Sequence, residues 1–488
     1  MNAPLRRVAV ACLVLFGLLL ANANYVQVVK AKSLRDDPRN RRVLLRTYDR
    51  LRGPIVLGTG KARQAVAASR ATTDNLKYLR TYPGGAVYAP VTGFASLVYG
   101  RTGIERTEDE VLSGSDDRLF VRRLSDYVTG RQIAGGSIVL TLQRAAQQAA
   151  YDGLAGKVGA VVALDPRTGA VLAMASRPSY DPSGLSSHDP AAIRSAYKTL
   201  IADDKDPLVN RAVERTYPPG STFKVITTAA ALATGRYTAA TRIASPTVLD
   251  LPQTTATLKN FGGEKCGDGR TSTLADALRI SCNTAYGALG LTLGQEAVRK
   301  QAQAFGFGDT SLSLPQPVAD SVYPDTLTPP QVAQAAIGQF DVRVTPLQMA
   351  MVAAGVANGG EVMRPYLVQE VQAPDLTRLD VATPRRYSRA VSASVAAQLT
   401  TMMEGVVSNG TGTAAQIPGV QVAGKTGTAQ HGPGAAPHAW FIGFAPAVDP
   451  QVAVAVLVED GGNAGSEATG GKVAAPIARA VMRAVLGR

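Results

Sequence analysis

A serine and a lysine one helical turn apart are the first residues of this sequence that could do chemistry. The run Tyr217-Pro218-Pro219-Gly220 precedes Ser221, and the segment from Thr222 to Ala233 is typical of a helix that Gly235 can end. Lys224 therefore lies on the same helix face as Ser221. A serine hydroxyl needs a base to become a nucleophile, and a desolvated lysine near another cation can be that base. A helix-capping serine followed by an exposed lysine gives the same pattern.

Two more polar motifs follow in the chain. Ser281-Cys282-Asn283 supplies a hydroxyl that can relay protons and an amide that can hold a substrate carbonyl. Lys425-Thr426-Gly427-Thr428 supplies a cation and a hydroxyl for a carboxylate, and its glycine permits a close backbone approach. Each motif is unremarkable alone.

A phosphate-binding loop is an alternative interpretation of the third motif. Gly419 to Thr426 matches the pattern G-x-x-x-x-G-K-[ST], which requires a strand before the loop and a helix that begins at the lysine. Val420 to Ala423 looks like the start of a strand. Gly427 and the Gly432-Pro433-Gly434 run forbid a long helix after it. The sequence therefore predicts no nucleotide here.

The elements around these motifs predict an α+β fold. Gly159 to Leu164 and Ala170 to Ala175 are apolar strands joined by a turn-rich link typical of a hairpin. Strands are also predicted at Trp440 to Phe444 and Val452 to Val458, before a last helix at Val473 to Leu486. Strands at both ends of a helical middle predict an antiparallel sheet with helices packed on it.

A change of pattern near residue 136 predicts a domain boundary. After it, Ile138 to Leu142 is predicted as a strand and Gln143 to Leu154 as an amphipathic helix. Before it, the pieces Ala86 to Pro90 and Phe94 to Tyr99 are strand-like. We expect a catalytic domain over residues 137–488, preceded by a smaller mixed domain over residues 30–136 that serves as a pedestal.

The N-terminus carries a candidate membrane anchor. The apolar segment Val8 to Val29 follows Arg6-Arg7 and is long enough to span a ~30 Å hydrocarbon core. We expect residues 1–7 to be a cytoplasmic tail and residues 8–29 an uncleaved transmembrane signal-anchor. Ala21-Asn22-Ala23 also fits a signal-peptide cleavage site loosely. Either way, the rest of the chain is expected outside the plasma membrane.

Composition indicates an ordinary globular protein with an excess of basic residues. Of 488 residues, 45% are hydrophobic, and 51 Lys or Arg stand against 37 Asp or Glu. Nucleic acid, anionic lipid and an anionic wall polymer are the partners that such a charge allows. The densest basic stretch, Lys32 to Arg52, includes acidic residues and is expected to be a solvated or membrane-proximal face. We expect no nucleic-acid binding.

The three cysteines are consistent with export. Cys12 lies inside the apolar segment, so Cys266 and Cys282 are the pair in the exported part. An oxidising environment permits a disulfide between them, and two free thiols fit the sequence equally well.

Histidine is scarce, and no metal or other cofactor is expected. His188, His431 and His438 lack the spacing of metal ligands and are expected to be loop or structural residues. Trp440 is expected to lie in the core, at the border of the cleft.

The ordered motifs Ser-x-x-Lys, Ser-x-Asn and Lys-Thr-Gly resemble the signature of penicillin-binding proteins and class A β-lactamases. From about Ile138 onward, the chain resembles the class B penicillin-binding proteins of the actinobacterial A type. The resemblance extends to other segments: Tyr217 to Lys224, Gly338-Gln339, Thr345-Pro346-Leu347-Gln348, Lys425 to Gln430 and Arg52-Gly53-Pro54-Ile55. The chain departs from the family by having Cys282 inside the second motif and by lacking the usual Asp-Arg after Arg52 to Ile55.

The resemblance implies a peptidoglycan D,D-transpeptidase. Ser221 would attack the penultimate D-alanyl carbonyl of a stem peptide, release D-alanine and form an acyl-enzyme. Lys224 would be the general base, while Ser281 and Asn283 would shuttle protons and orient the donor. β-Lactam antibiotics would acylate the same serine.

The family also implies how the substrate is held. Lys425 and Thr426 would bind its terminal carboxylate, Gly427 would allow the close approach, and the N–H groups of Ser221 and Thr428 would form the oxyanion hole. A bond between Cys266 and Cys282 would tether the active-site wall. The expected partners are stem peptides, the plasma membrane and a glycan-polymerising protein.

Two rival functions share these motifs. A serine β-lactamase needs an efficient way to hydrolyse the acyl-enzyme, and the E-x-x-x-N element that serves this purpose is not evident between the second and third motifs. The extra N-terminal region and the anchor also disfavour a β-lactamase. A non-catalytic scaffold or β-lactam sensor would be expected to lose the nucleophile or the base, yet both are present.

Overall fold

The computed structural model describes residues 2–35, 48, 50–119, 129, 134–432 and 434–488. Most of the basic stretch Lys32 to Arg52 lies outside these residues.

The strands of the described chain range from two to eight residues in length. In chain order they are β1 (Ile55–Leu57), β2 (Gln64–Ala71), β3 (Tyr78–Thr81), β4 (Ala95–Ser96), β5 (Gly100–Arg101), β6 (Ser137–Leu140), β7 (Gly159–Leu164), β8 (Val171–Arg177), β9 (Arg242–Ala244), β10 (Val248–Asp250), β11 (Thr257–Lys259), β12 (Thr271–Thr273), β13 (Glu361–Met363), β14 (Val368–Gln372), β15 (Arg378–Val381), β16 (Arg386–Arg389), β17 (Ala423–Ala429), β18 (His438–Ala445) and β19 (Val452–Val458).

The α-helices are concentrated between β8 and β17. In chain order they are α1 (Asn2–Asn24), α2 (Ala31–Arg35), α3 (Ala89–Thr92), α4 (Gly103–Thr107), α5 (Asp109–Leu112), α6 (Arg144–Gly153), α7 (Pro190–Ile201), α8 (Lys224–Ala233), α9 (Leu274–Arg279), α10 (Asn283–Leu293), α11 (Gln295–Ala304), α12 (Pro329–Ala335), α13 (Pro346–Ala357), α14 (Ala393–Asn409) and α15 (Ala475–Val485).

An antiparallel sheet is the centre of the C-terminal part, as the sequence predicts. Its five strands in the described chain run in the order β17-β18-β19-β7-β8, and every neighbouring pair is antiparallel. Helices pack on both faces, with α13 and α14 on one side and α6 and α15 on the other. The fold is therefore α+β, with β17 at one edge of the sheet.

The sequence of β19 follows from its burial on both faces. Successive side chains of a strand point to opposite faces. Val454, Val456 and Val458 accordingly lie in one hydrophobic core, and Ala453, Ala455 and Leu457 lie in the other. A strand covered on both sides has no polar face, which explains its continuous apolar run.

Helix α13 packs on one face of the central sheet, against β7, β18 and β19. Thr345 caps it by accepting a hydrogen bond from Gln348 N, and Pro346 takes the first helical position, where no N–H is needed. The Gln348 side chain donates to Phe305 O at 2.7 Å. The Thr-Pro-Leu-Gln motif thus begins the helix, and its glutamine side chain bonds the helix to the segment that contains Phe305.

A second, six-stranded sheet joins the N-terminal region to the C-terminal part. Its described strands run β15-β14-β6-β1-β2-β3, with β1 and β6 parallel and the other pairs antiparallel. Strand β6 thus lies between β1 from the N-terminal region and β14, which follows α13 in the chain.

The Arg52-Gly53 motif lies at the base of this sheet. Arg52 Nε is 2.6 Å from Glu105 Oε2, and Arg80 Nε is 2.6 Å from Glu105 Oε1. Burial opposes ionisation of Glu105, but the two guanidinium groups outweigh it and lower the pKa of this carboxyl to about 2. Gly53 must be glycine, because a Cβ there would lie 1.7 Å from Gly136 O.

One local expectation is wrong. Ala86 to Pro90 is not a strand, because it contains the turn Gly85–Val87 and the start of helix α3. Pro90 occupies the first turn of α3, where its missing N–H costs nothing. Within Phe94 to Tyr99, the residues Ala95–Ser96 do form a short strand.

The N-terminal helix could cross a membrane. Ala3–Val29 is helical, has a mean hydropathy of 2.0 over its most apolar stretch, and buries none of that stretch against the rest of the protein. Its length and composition agree with the predicted anchor.

Candidate active site

Ser221 lies in the helical turn Gly220–Phe223, which continues directly into α8. Three bonds fix the chain before it: Tyr217 N donates to Val344 O at 2.8 Å, Gly220 N to Gly338 O at 2.9 Å, and Trp440 Nε1 to Pro218 O at 3.0 Å. Ser221 is partly exposed, and its hydroxyl makes no hydrogen bond within the described part of the chain.

Lys224 begins α8 one turn after Ser221 and is fully buried. Its Nζ donates to Asn283 Oδ1 at 2.7 Å, to Ser281 O at 2.7 Å and to Ser281 Oγ at 3.3 Å. The amine also lies 5.5 Å from the centre of the Tyr286 ring. Lys224 is therefore held in place by the second motif and is not an exposed helix lysine.

Ser281 and Asn283 are positioned by the junction of α9 and α10. Ser281 has a φ of 63°, a left-handed conformation that is costly for a residue other than glycine. This conformation turns the chain between the two helices, and the Ser281 hydroxyl faces Lys224 and Lys425. Asn283 is the first residue of α10 and directs its amide oxygen toward Lys224.

Lys425 lies inside β17, opposite Ile442 of β18. Its Nζ donates to Ser281 Oγ at 2.8 Å and to Thr426 O at 3.0 Å. The Thr426 hydroxyl in turn lies 2.6 Å from Thr411 Oγ1. Because a strand and not a helix continues after Lys425, the phosphate-loop alternative is excluded.

Strand β17 passes very close to the start of the nucleophile turn. A Cβ on Gly427 would lie 2.9 Å from Thr222 Cγ2 and 3.0 Å from Pro219 O, so only glycine fits there without a shift. Thr428 follows at the same edge, partly exposed beside Gly220. The backbone of β17 and the N-terminus of the nucleophile helix thus border one cleft.

Burial sets the protonation of the two lysines. It lowers the pKa of Lys425 to about 7. Burial, with the positive charge of Lys425 as a second cause, lowers the pKa of Lys224 well below its usual value. Both causes favour the neutral amine of Lys224, which is the form that a proton acceptor requires.

Cys266 and Cys282 form a disulfide in the structure, with an S–S distance of 2.04 Å. Cys282 lies between Ser281 and Asn283, so the bond ties the second motif to the loop before β12. Both cysteines are buried, whereas Cys12 is free and exposed.

Asn260 is a contributor that the sequence did not reveal. Its Oδ1 accepts hydrogen bonds from Asn283 N at 2.8 Å and from Thr284 N at 3.0 Å, which are the first N–H groups of α10. Its Nδ2 donates to Glu264 O at 2.9 Å. Asn260 therefore caps α10 from a distant loop, and a cap at such a separation leaves no local sequence pattern.

The remaining histidine and tryptophan predictions have mixed outcomes. Trp440 lies in the core and borders the cleft through its bond to Pro218, as expected. His188 lies against Asp74 and Tyr78 O in the N-terminal part. His431 and His438 are not scattered, because their rings stack with centroids 3.9 Å apart beside Asp460.

This fold and site define a class of protein. A serine at a helix start, a buried lysine one turn later, a Ser-x-Asn loop and a Lys-Thr-Gly edge strand border one cleft on an antiparallel sheet. That arrangement is the one shared by the active-site serine penicillin-binding enzymes.

Known proteins are similar to this chain over nearly its whole length. The family model of the penicillin binding protein transpeptidase domain matches residues 159–483, and that of the penicillin binding protein A dimerisation domain matches residues 52–138. The peptidoglycan D,D-transpeptidase PbpA of Mycolicibacterium smegmatis is 51% identical, over 100% of this chain and 99% of the relative. PbpA of Mycobacterium tuberculosis H37Rv is 49% identical with the same coverage.

Solved structures agree. Penicillin-binding protein A from M. tuberculosis, as the acyl-enzyme complex with ceftriaxone, has a TM-score of 0.87 at 47% identity, covering 91% of this chain and 100% of that chain. The penicillin G acyl-enzyme complex of that protein has a TM-score of 0.85 at 48% identity, covering 90% and 100%. The chain belongs to the class B penicillin-binding proteins, and it resembles their A-type members from end to end.

Proposed function

We propose that this protein is a peptidoglycan D,D-transpeptidase that cross-links stem peptides through an acyl-enzyme on Ser221. The observation that carries the proposal is the burial of Lys224, one turn from Ser221 and hydrogen-bonded to Ser281 and Asn283. Burial and the neighbouring Lys425 favour the neutral amine. The similar proteins named above are D,D-transpeptidases, and the similar structures hold β-lactam acyl-enzymes.

In the first half-reaction, Lys224 takes the proton of Ser221 as the serine oxygen attacks the penultimate D-alanyl carbonyl. The new C–O bond forms a tetrahedral intermediate, and its breakdown cleaves the peptide C–N bond. The Ser281 hydroxyl, between the two lysines, carries a proton toward the leaving D-alanine amine. The products are free D-alanine and an ester on Ser221.

In the second half-reaction, the amine of a neighbouring stem peptide attacks that ester. Its proton returns through Lys224 to Ser221, and a new peptide bond replaces the ester. No redox step, metal or nucleotide takes part in this sequence of bond changes. β-Lactams acylate Ser221 in the same way, but their amine stays attached after ring opening and leaves a long-lived ester.

Substrate recognition is assigned to β17. Lys425 and Thr426 bind the terminal carboxylate, and Gly427 allows the backbone to approach the nucleophile turn. The N–H groups of Ser221 and Thr428 form the oxyanion hole. One such donor contributes roughly 2.7–4 kcal/mol to lowering the barrier.

The placement of the protein in the cell is part of the proposal. Residues 1–7 form a cytoplasmic tail, residues 8–29 a single transmembrane anchor in the plasma membrane, and the catalytic domain over residues 137–488 faces outward. Residues 30–136 serve as a pedestal and as the contact for a glycan-polymerising partner. The apolar helix Ala3–Val29 supports the anchor.

The test is covalent labelling with a fluorescent penicillin, followed by denaturation and gel electrophoresis, beside Ser221→Ala. Label that survives denaturation, lasts many minutes and is absent from the variant supports an acylating penicillin-binding protein. Product analysis with a stem-peptide donor and an amine acceptor then tests the transfer itself. Label that vanishes within seconds while drug is consumed would indicate a β-lactamase. If the folded protein takes no label, the catalytic proposal fails and a non-catalytic scaffold is the remaining function.

A further inference from the structure

Two of the three histidines meet a carboxylate beside the end of β17. His431 lies in the connection between β17 and β18, His438 is the first residue of β18, and Asp460 follows β19. One donor atom from each residue lies within 4.8 Å of the other two. His431 Nε2 is 2.9 Å and His438 Nδ1 is 3.6 Å from the same oxygen, Asp460 Oδ1.

These distances suit a tetrahedral metal ion. Zinc bonds nitrogen and oxygen at about 2.0–2.2 Å, which separates neighbouring ligand atoms by roughly 3.4 Å. The two distances to Asp460 Oδ1, 2.9 Å and 3.6 Å, lie on either side of that value. His431 Nε2 also donates to the Ala436 carbonyl oxygen at 2.9 Å, so the ring must carry its proton on Nδ1 before Nε2 can bind a metal.

The hydrogen bonding of His438 shows which of its ring nitrogens is unprotonated. Its Nδ1 accepts a hydrogen bond from Asp460 N at 3.1 Å, so an unprotonated nitrogen faces Asp460. A metal binds an unprotonated ring nitrogen, so an ion at Nδ1 would replace the hydrogen bond from Asp460 N.

The stacked rings show what must change on binding. Their planes differ by only 9°, whereas the nitrogen lone pairs lie in the ring planes, so one ring must tilt to direct both nitrogens at one ion. His438 is fixed in β18, opposite Ala429. His431 lies outside the strands, in the connection that contains Gly432 and Gly434, so it is the ring that must tilt.

We propose that His431, His438 and Asp460 form a site for one divalent transition-metal ion of the zinc class. Two imidazoles and a carboxylate suit Zn²⁺, Cu²⁺ or Ni²⁺, whereas Ca²⁺ and Mg²⁺ prefer oxygen ligands alone. The ion ties the β17–β18 connection to the segment after β19. The ion thereby fixes the C-terminal end of β17, the strand that carries Lys425.

The experiment uses the full chain in detergent, purified without a histidine tag and stripped of metal with a chelator. Co²⁺ is added, and its visible absorption reports nitrogen and oxygen coordination; Zn²⁺ is then titrated by competition. We expect one ion per chain, and binding weakened by about tenfold or more in His431→Ala and Asp460→Ala. His188→Ala is the matched control, because His188 contacts Asp74 instead and should leave the binding unchanged.

Equal Co²⁺ binding by the wild type and His431→Ala would overturn the proposal, as would the same loss in His188→Ala. Asp460 is exposed, the His431 side chain is partly exposed, and neither residue belongs to a hydrophobic core, so their removal does not disturb one. Thermal unfolding gives a second measurement. Zn²⁺ should raise the Tm of the wild type and of His188→Ala but not that of His431→Ala. Penicillin labelling of Ser221 is independent of both readouts, so the proposed function stands or falls separately.

Discussion

Lys425 Nζ lies 2.8 Å from Ser281 Oγ, although 144 positions separate the two residues in the chain. Lys224 Nζ reaches the same hydroxyl from the other side, at 3.3 Å. Ser281 thus bridges two buried amines that would repel each other if both were charged. This bridge joins the helix that carries the nucleophile to the strand that closes the cleft.

Two substitutions at Ser281 distinguish the role of its hydroxyl in acylation from the conformational strain of its left-handed backbone. Ser281→Ala and Ser281→Gly both remove the hydroxyl bridge, so both should slow penicillin acylation by a similar factor. Glycine accepts a φ of 63° at no steric cost, whereas alanine keeps the strain. We expect Ser281→Gly to be more stable than Ser281→Ala by about 1 kcal/mol in chemical denaturation. If the alanine variant is at least as stable as the glycine variant, the backbone of Ser281 is not strained and the prediction is wrong.

The lowered pKa of Lys425 predicts a decline of acylation at alkaline pH. Its pKa is about 7 in the free protein, so higher pH removes the charge that attracts a β-lactam carboxylate. The second-order acylation rate should then fall by about tenfold per pH unit well above neutrality. The measurement is the labelling rate against pH.

Lys425→Arg tests which group causes that decline. Arginine keeps its charge throughout this range and preserves the positive neighbour that lowers the pKa of Lys224. The alkaline decline should therefore disappear in the variant, whatever its absolute rate. Lys472→Arg, at an exposed lysine, should retain the wild-type profile. A decline with the same midpoint in Lys425→Arg would assign it to another group.

The disulfide should stabilise the second motif. It spans 16 residues, and closing a loop of that length contributes ~3 kcal/mol in the chain-entropy model. We expect Cys266→Ser to lower the Tm, and to slow acylation because Cys282 adjoins both Ser281 and Asn283. A reducing agent should have the same effect on the wild type and none on the variant. Cys12→Ser is the control, since Cys12 is free and exposed. Unchanged Tm and acylation in Cys266→Ser would refute the role.

Asn260 should matter through its acceptor oxygen. Asn260→Ala leaves the Asn283 and Thr284 N–H groups without their partner and should cost about 1 kcal/mol of stability. Acylation should also slow, because Asn283 holds Lys224. Asn260→Asp keeps an acceptor at the same place and should recover most of the acylation rate. If acylation of the aspartate variant is as slow as that of the alanine variant, the loss comes from the missing hydrogen bond between Asn260 Nδ2 and Glu264 O instead.

Local pattern was enough for the parts of this protein that are determined by neighbouring residues. The apolar runs of β7 and β8 on either side of their turn, the apolar run of β19 and the Ser-x-x-Lys helix start could all be predicted from the sequence. These features depend on the periods of strand and helix and on residue types a few positions apart. Ala86 to Pro90 was predicted wrongly because a short apolar run fits a strand and a helical turn equally well.

Contacts between distant segments required the folded chain. No pattern near Asn260 shows that it caps α10, and nothing in the spacing of His431, His438 and Asp460 brings them together. Likewise, only the fold places β6 between β1 and β14 and directs two lysines at one serine hydroxyl. The physical reason is that the packing of the sheet against its helices decides which side chains are buried and which groups they contact. Burial and contacts then set the pKa of each lysine and the partner of each hydrogen-bond donor.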